Sequence, residues 1–222
     1  QHERYDRMTA AIISRVAHGN DVCVDIGAHR GAILAAMVAA APEGQHVAFE
    51  PLPGFAERLR NEFPNADVRA LALSDERGEL EFTHVVDAPA YSGFRAHTSV
   101  PDALAIETIR VAVSTLDDEL DPAVPIALIK IDVEGAERAV LRGARRTLAR
   151  WQPVVVFEHG LGGADAYDTQ PESVAAEFAR ASLCISRLDD YLADRAPLST
   201  AAFVDEFTQR RNYVFVAHPA PR

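Results

Sequence analysis

The chain has 222 residues, a length that suits one α/β domain whose sheet is buried on both faces. Hydrophobic residues make up 48% and charged residues 25% of the sequence, which is ordinary globular composition and excludes the disordered class. Because 33 acidic residues outnumber 22 Lys and Arg, the formal charge is −11, which repels a phosphate backbone, and we expect no nucleic-acid partner.

The first half of the chain alternates helices and strands. RYDRMTAAIISRVA places apolar residues at helical spacing, and DVCVDIG is predicted to be a buried strand that leads into a helix from about residue 30 to 41. HVAFE is the next strand, PGFAERLRNEF the next helix and DVRALALS the third strand. This order predicts a parallel sheet with right-handed crossovers.

The second half begins with a predicted hairpin, in which the turn DERG joins ALALS to ELEFTHVV. A polar stretch from 87 to 102 follows and is typical of a lid or a binding loop. Next come the strand TIRVAVS, the helical turn LDDEL, the strand IALIKID, the helix EGAERAVLRGARRTLARW and the strand PVVVFE. The helix PESVAAEFARASL and the strands CISRLD and NYVFVAH close the chain, and no linker divides it.

Apolar runs and cysteines bear on where the protein acts. The longest uncharged run, AILAAMVAAAP, is too short to span a bilayer, so we expect no membrane partner. Cys23 and Cys184 lie in strand-like apolar runs, where buried free thiols are typical, and their number does not suggest a disulfide framework. This usage fits a reducing compartment, and we predict a cytoplasmic protein.

The loop DIGAHRG, between the first strand and the second helix, lies where ligands bind in open α/β sheets. It lacks the Lys of a P-loop, which excludes a nucleoside triphosphate site. His29 stands where a dinucleotide fingerprint has its second glycine, which argues against NAD or FAD. The carboxylate of Asp25 suits an ammonium group, and the N-terminus of the following helix suits a carboxylate. Glu50 can accept hydrogen bonds from the two hydroxyls of a ribose. S-adenosylmethionine carries all of these groups.

The glycines of this loop have a second interpretation. Gly27 and Gly31 also suit a plain strand-to-helix turn that binds nothing. Glu50 favours the ligand site, because it ends the next strand at the matching place.

Five segments in order, VDIGAHRGA, VAFEPLPG, LALSDERGELEF, VSTLDDEL and IKIDVEGAERAVLRGARRTL, resemble the FkbM family of S-adenosylmethionine-dependent methyltransferases. The resemblance implies a Rossmann-like class I methyltransferase fold, with a mostly parallel doubly wound sheet and an antiparallel last strand. It also implies O-methylation of a hydroxyl on a small molecule, sugar or secondary metabolite. Two alternatives stay open: a methyltransferase-like protein that binds a ligand without turnover, and an NAD-linked oxidoreductase.

The sequence contains no repeat, no low-complexity tract and no linker, and this predicts the domain organisation. We expect one methyltransferase domain over residues 1–222, with an N-terminal helix in 1–20 and a cofactor-binding core in 21–158. Residues 159–222 are expected to form the C-terminal helix and the closing strands.

The resemblance also assigns candidate site residues. The predicted set for S-adenosylmethionine is Asp25, Gly27, Gly31, Glu50, Ser74, Asp75 and Asp132. Ser74 and Asp75 follow the third predicted strand, where such sheets contact adenine, although SDERG is also good turn chemistry. The candidates for binding the acceptor or removing its proton are Asp132, Glu134, Glu158 and His159. Glu134 and Glu137 also suit the first turn of a helix for dipole reasons alone.

A metal and the acceptor complete the expectations. Asp132, Glu158 and His159 are residue types that bind divalent metals, but no close-set ligand motif supports a metal, and we expect none. The acceptor is expected to be a small molecule that contacts the 87–102 loop and the segment after Leu161. An amide nitrogen is an alternative to a hydroxyl as the methylated atom.

Overall fold

The computed structural model describes residues 2–85, 92–94 and 105–220. The helices are α1 (His2–Val16), α2 (Ala32–Ala40), α3 (Pro53–Glu62), α4 (Leu116–Glu119), α5 (Glu137–Gly143), α6 (Arg145–Trp151), α7 (Gly163–Ala166), α8 (Pro171–Arg180), α9 (Leu188–Leu192) and α10 (Thr200–Thr208). The strands are β1 (Val22–Ile26), β2 (Val47–Phe49), β3 (Asp67–Arg69), β4 (Ala72–Leu73), β5 (Gly78–Val85), β6 (Ile106–Ser114), β7 (Ile126–Ile131), β8 (Val154–Glu158), β9 (Leu183–Arg187) and β10 (Val214–Pro219).

A seven-stranded sheet with the order β3-β2-β1-β7-β8-β10-β9 forms the centre of the molecule. Neighbours from β3 to β8 run parallel, whereas β10 lies antiparallel between β8 and β9. The predicted parallel sheet with an antiparallel last strand is therefore confirmed. The strand order reverses between β1 and β7, so the carboxyl ends of these two strands form the crevice where open α/β sheets bind ligands.

Both faces of the central strands are buried, which explains their nearly continuous apolar sequences. Val24 and Ile129 point to the face that packs on α5, α6, α8 and α10, while Cys23 and Leu128 point to the face covered by α1, α2 and α9. Burying a side chain of this size stabilises the fold by about 1.5–3 kcal/mol. The two layers hold the strand ends at fixed positions.

The prediction of DVRALALS as one strand, hairpinned to ELEFTHVV, is wrong. DVR forms β3 in the large sheet, and the chain then crosses to β4 in a second sheet with the order β4-β6-β5. Both β4 and β5 pair with β6, and Gly78 lies opposite Val113. This pairing buries Phe82 and Val111 against Leu52, a contact that local turn chemistry does not predict.

The single helix predicted over EGAERAVLRGARRTLARW is also wrong. Glu134 and Gly135 have φ values of 54° and 107°, so the helix begins only at Glu137. A Cβ on Gly135 would lie 2.2 Å from the Gly163 carbonyl oxygen, and this close approach dictates the turn. A second break follows at Ala144, where the Asp117 carboxylate accepts the backbone N–H groups that begin α6.

Two smaller findings concern membranes and thiols. Within residues 2–85, 92–94 and 105–220, no helix has the length and apolar content to cross a membrane. Cys23 is buried and Cys184 partly buried, and both are free thiols in strands, as predicted.

Candidate functional site

Two clefts open at the carboxyl ends of β1 and β7. The first cleft encloses about 710 Å³ between the glycine loop, the end of β2 and the small sheet. The second cleft encloses about 820 Å³ between α1, the start of α2 and the ends of β7 and β8. Gly27, His29 and Asp132 line both clefts and form the junction between them.

The walls of the clefts differ in chemistry. Apolar side chains dominate the first cleft, among them Phe49, Leu52, Leu71, Leu73, Phe82 and Phe94. Polar side chains are more frequent in the second, among them Tyr5, Asp6, Thr9, Arg30, Lys130 and Glu158.

The glycine loop needs both of its glycines. Gly27 has a φ of +77°, and a Cβ there would lie 1.9 Å from the Asp132 carbonyl oxygen. Gly31 has a φ of +82°, and its Cβ would lie 2.6 Å from Leu59 Cδ2. Left-handed backbone and close contact together exclude larger residues. The Gly27 N–H also donates to the Phe49 carbonyl oxygen at 3.0 Å, which fixes the loop to β2.

Glu50 connects the glycine loop to the end of β2. Its side chain is 4% exposed and lines the first cleft. One carboxylate oxygen accepts the His29 backbone N–H at 2.7 Å, and the other accepts the Leu52 N–H at 2.9 Å. Burial raises the pKa of Glu50 above its ordinary value, although these two bonds oppose the shift. Each oxygen keeps further lone pairs for a ligand.

The hydrogen bond from its backbone N–H to Glu50 holds His29 in place. It has a φ of 48°, and its ring lies against Phe55 with the centroids 4.7 Å apart. Burial lowers the pKa of His29, and the nearby Arg30 and Lys130 lower it further, which disfavours the charged ring. Among the described residues, its buried Nε2 has no hydrogen-bond partner, which leaves one polar atom at the junction of the clefts.

Asp25 and Lys130 form the buried centre of the site. They are register partners on β1 and β7, and Lys130 Nζ lies 3.6 Å from the Asp25 carboxylate. Asp25 is fully buried, and neither of its oxygens accepts a hydrogen bond from the described part of the chain. Burial raises the pKa of Asp25, while Lys130 and, to a smaller extent, the nearby backbone N–H of Leu34 oppose the shift.

Lys130 lines the second cleft, a position that was not predicted from the sequence. Its Nζ donates to the Gly27 carbonyl oxygen at 2.9 Å and lies 3.4 Å from Asp132. Burial alone would lower the pKa of Lys130, but Asp132 and Asp25 raise it above the ordinary value. Aligning the ends of VDIG and IKID as neighbouring strands would have placed Lys130 beside Asp25.

Asp132 is a partly exposed acid at the junction. Its backbone N–H donates to the Ile26 carbonyl oxygen at 3.1 Å, which ties the end of β7 to β1. Its side chain is 36% exposed and faces both clefts.

Glu134 and Glu137 lie just beyond Asp132. Glu134 lines the first cleft, and burial, together with the nearby charges of Asp132 and Glu137, raises its pKa to about 9. Glu137 is 1% exposed, and its carboxylate accepts the Gly135 N–H at 3.0 Å. Burial raises the pKa of Glu137 to about 7 despite this bond. The role of Glu137 is therefore to fix the turn that presents Glu134.

Glu158 and His159 end β8 but face different surroundings. Glu158 lines the second cleft, and burial, with the repulsion of Asp132 and Glu134, raises its pKa well above the ordinary value. His159 is 1% exposed and stacks on Phe207 with the ring centroids 4.8 Å apart. Burial lowers its pKa to about 4, and neither cleft includes it in its lining.

Ser74 and Asp75 lie just outside the lining of the first cleft, after its residue Leu73. The Ser74 hydroxyl donates to Asp75 at 3.2 Å, and Asp75 forms an ion pair with Arg142 at 3.1 Å. They follow β4, which belongs to the small sheet and not to the predicted third strand of the large sheet, and their side chains also stabilise the turn.

Two segments were expected to contact the acceptor: residues 87–102 and the segment after Leu161. Residues 87–102 lie outside the described residues apart from 92–94, of which Ser92 and Phe94 line the first cleft. The segment after Leu161 forms α7, and its Gly163 contacts the backbone of Glu134 and Gly135. Across the described ranges, no three His, Cys, Asp or Glu side chains are grouped to hold a metal ion.

Comparisons with known proteins decide the family. A family model described as the methyltransferase FkbM domain matches residues 25–215. The chain belongs to the FkbM methyltransferase family. No curated protein matches the chain.

Solved structures share the fold of this FkbM chain. The methyltransferase FkbM of Methylobacillus flagellatus KT is 16% identical with a TM-score of 0.54, covering 93% of this chain and 47% of its own. The chain therefore spans about half the length of that protein. A putative rRNA methylase from Clostridium thermocellum is 9% identical with a TM-score of 0.54, covering 96% of this chain and 94% of its own. At such identities the likeness shows the fold alone, which is the predicted class I methyltransferase fold.

Proposed function

We propose that this protein is an S-adenosylmethionine-dependent methyltransferase that methylates a hydroxyl of a small molecule, sugar or secondary metabolite. The whole chain is proposed to act as one domain. The observation that carries the proposal is Glu50, a buried carboxylate in the wall of a cleft beside a loop whose Gly27 has no room for a Cβ. A ribose and a closely approaching chain fit that combination.

The cofactor is proposed to extend from the first cleft to the junction. The apolar wall at Leu71 and Leu73 suits adenine, with Ser74 and Asp75 at its edge and the ribose hydroxyls on Glu50. Gly27 and Gly31 let the chain turn closely around the methionine end. Because Asp25 is fully buried whereas Asp132 is partly exposed and lines both clefts, Asp132 is the better partner for the ammonium group, and Asp25 acts by holding Lys130 and the loop.

The acceptor is proposed to lie in the second cleft. S-adenosylmethionine supplies a methyl group on a positively charged sulfur, so the work of the protein is to hold the acceptor oxygen in line and to receive its proton. Glu158 and Asp132 line this cleft and have the chemistry of that proton acceptor, and Glu134 lies on the far side of Asp132. His159 is buried behind them against Phe207, so its proposed role is to support Glu158.

The rival functions are less well supported. An NAD-linked oxidoreductase would need a glycine where His29 contacts Glu50. The net charge of −11 argues against an RNA acceptor such as that named for the clostridial protein, and favours a small molecule.

A methyl-transfer assay tests the proposal. The protein is incubated with S-adenosylmethionine that carries a deuterated methyl group and with panels of sugars, phenols, other alcohols and amines, and mass spectrometry follows the label. We expect an O-methylated product and the same rate in the presence of a chelator. Label on nitrogen would show that the methylated atom of the acceptor is a nitrogen and not a hydroxyl oxygen. A rate that is lost with the chelator and restored by Mg²⁺ would show that a metal is needed.

A further inference from the structure

Arg30 places an exposed positive charge at the wall of the second cleft. Among the described residues it is the only arginine that lines either cleft, and it forms no ion pair with any of them. Arginines elsewhere in the fold, such as Arg142 and Arg145, pair with acids at 3.1 and 2.8 Å. The guanidinium of Arg30 therefore keeps its hydrogen-bond donors for a ligand.

The backbone on both sides of Arg30 is fixed. His29 before it has a φ of 48° and Gly31 after it a φ of 82°, so a left-handed residue flanks Arg30 on each side. The His29 N–H donates to the Glu50 carboxylate at 2.7 Å, and the Gly31 N–H donates to the Ala28 carbonyl oxygen at 2.8 Å. The side chain of Arg30 therefore leaves the loop from a defined point, which reduces the entropy that is lost when it binds a ligand.

The second cleft has one lysine in its lining, and that lysine already has partners within the described part of the chain. Lys130 Nζ lies 3.6 Å from Asp25 and 3.4 Å from Asp132, and it donates to the Gly27 carbonyl oxygen at 2.9 Å. Its side chain is 12% exposed. An anionic ligand in this cleft would therefore bind Arg30 rather than Lys130.

The acids proposed to receive the hydroxyl proton lie at the strand ends of the same cleft. Ile131 and Phe157 are register partners on the parallel strands β7 and β8, whose backbones are about 4.8 Å apart. Asp132 and Glu158 follow them directly, so they end neighbouring strands, and both line the second cleft with Arg30. An acceptor bound between Arg30 and these acids could present its hydroxyl to the acids while an anionic group stays on the arginine.

We propose that Arg30 selects acceptors that carry an anionic group, a carboxylate or a phosphate, in addition to the hydroxyl that is methylated. The fork of guanidinium donors matches two oxygens of either group. The inference rests on the proposed function, since it concerns the acceptor of that reaction. The carboxylate of the cofactor is a different anion, because the cofactor is proposed to extend from the first cleft to the junction, whereas Arg30 lines the second cleft alone.

Sets of acceptors that differ in charge test the proposal on the whole chain with labelled S-adenosylmethionine. One set is glucuronate, the primary phosphate ester of glucose, glucose and glucosamine. The other is para-hydroxybenzoate, para-hydroxyphenyl phosphate, para-hydroxybenzamide and tyramine. In a set that is methylated, we expect kcat/KM to be at least about tenfold higher for an anionic member than for the neutral one, and the better anion distinguishes carboxylate from phosphate. An equal or higher kcat/KM for the neutral or the amine member would overturn the inference alone, whereas label in no compound would overturn the proposed function.

Variants show whether Arg30 causes this preference. Arg30→Gln should reduce the ratio of kcat/KM between the anionic and the neutral member to about one, mainly through KM for the anion, and Arg30→Lys should restore part of it. Arg110→Gln is the matched control, because Arg110 is exposed on β6 and lines neither cleft, and the ratio should not change. An undiminished ratio in Arg30→Gln would overturn the inference. So would an equal loss of affinity for S-adenosylhomocysteine in calorimetry, because Arg30 would then bind the carboxylate of the cofactor.

Discussion

The buried acid of the first cleft is stabilised by backbone hydrogen bonds, whereas the buried acid of the junction is stabilised by a charged side chain. Glu50 in the first cleft has one backbone N–H on each carboxylate oxygen, so the local chain compensates its burial. Asp25 at the junction accepts no hydrogen bond from the described residues and depends on Lys130, a side chain from another strand. The first arrangement fixes a shape for a ligand, whereas the second makes the charge state of the site depend on its neighbours.

The largest effect is expected when the positive charge of Lys130 is removed from the junction. Lys130→Met leaves Asp25 buried without a counter-charge, and we expect the free energy of unfolding to fall by about 3–5 kcal/mol. Urea denaturation measures the loss. In a protein that already carries Asp25→Asn, the same Lys130→Met change should cost much less, and an equal cost in both backgrounds would mean that Lys130 does not compensate Asp25.

A substitution at Gly27 tests whether close packing fixes the shape of the first cleft. Gly27→Ala forces a left-handed residue with a Cβ 1.9 Å from the Asp132 carbonyl oxygen, and we expect a loss of at least about 2 kcal/mol. Gly54→Ala in α3 is the matched control, because a Cβ there meets no atom within 4 Å. Equal melting temperatures for the two variants would show that the loop relaxes and that its glycine is not required by packing.

Glu50 is expected to matter more for the cofactor than for the fold. Glu50→Gln loses the charge and one of the two loop bonds, and hydrogen bonds to a charged group contribute about 1.5–3 kcal/mol, so S-adenosylhomocysteine should bind about 10- to 100-fold more weakly. Calorimetry on Glu50→Gln and on the exposed Glu57→Gln gives the comparison. Unchanged affinity in Glu50→Gln would remove the ribose role.

The smallest expected effect is a change in the pH dependence of stability, of at most about 1.4 kcal/mol per pH unit. Glu134 has a pKa of about 9 in the folded chain, against 4.5 as its ordinary value, so between these values the folded protein holds a proton that the unfolded chain releases. The free energy of unfolding should therefore fall as the pH rises through this range. Glu134→Gln should flatten that dependence in urea denaturation at several pH values, and identical slopes would show that Glu134 is ionised in the folded protein.

The same contrast explains what could be predicted from the sequence. It was predictable that Asp25, Gly27 and Glu50 lie together at one edge of the sheet, because they stand at strand ends and in a loop with a fixed local spacing. The family and the sheet followed from segments that keep their order along the chain. Lys130 was missed, because its role comes from its pairing with Asp25 across β1 and β7, and the hairpin prediction failed because β6 is the distant partner of both β4 and β5.

Local patterns also hid the turn at Glu134. EGAERAVL has the acids of a helix start, but Gly135 packs on Gly163 and delays the helix by three residues. The helices α7, α9 and α10 lie in segments for which the sequence predicted none. Their positions depend on packing against the sheet rather than on their own periodicity.

We propose that the glycine loop and Glu50 hold S-adenosylmethionine, and calorimetry of the unaltered protein with S-adenosylmethionine, S-adenosylhomocysteine and NAD tests this binding. We predict that the first two bind with one molecule per chain and that NAD gives no heat of binding. Binding of NAD without binding of S-adenosylhomocysteine would contradict the account.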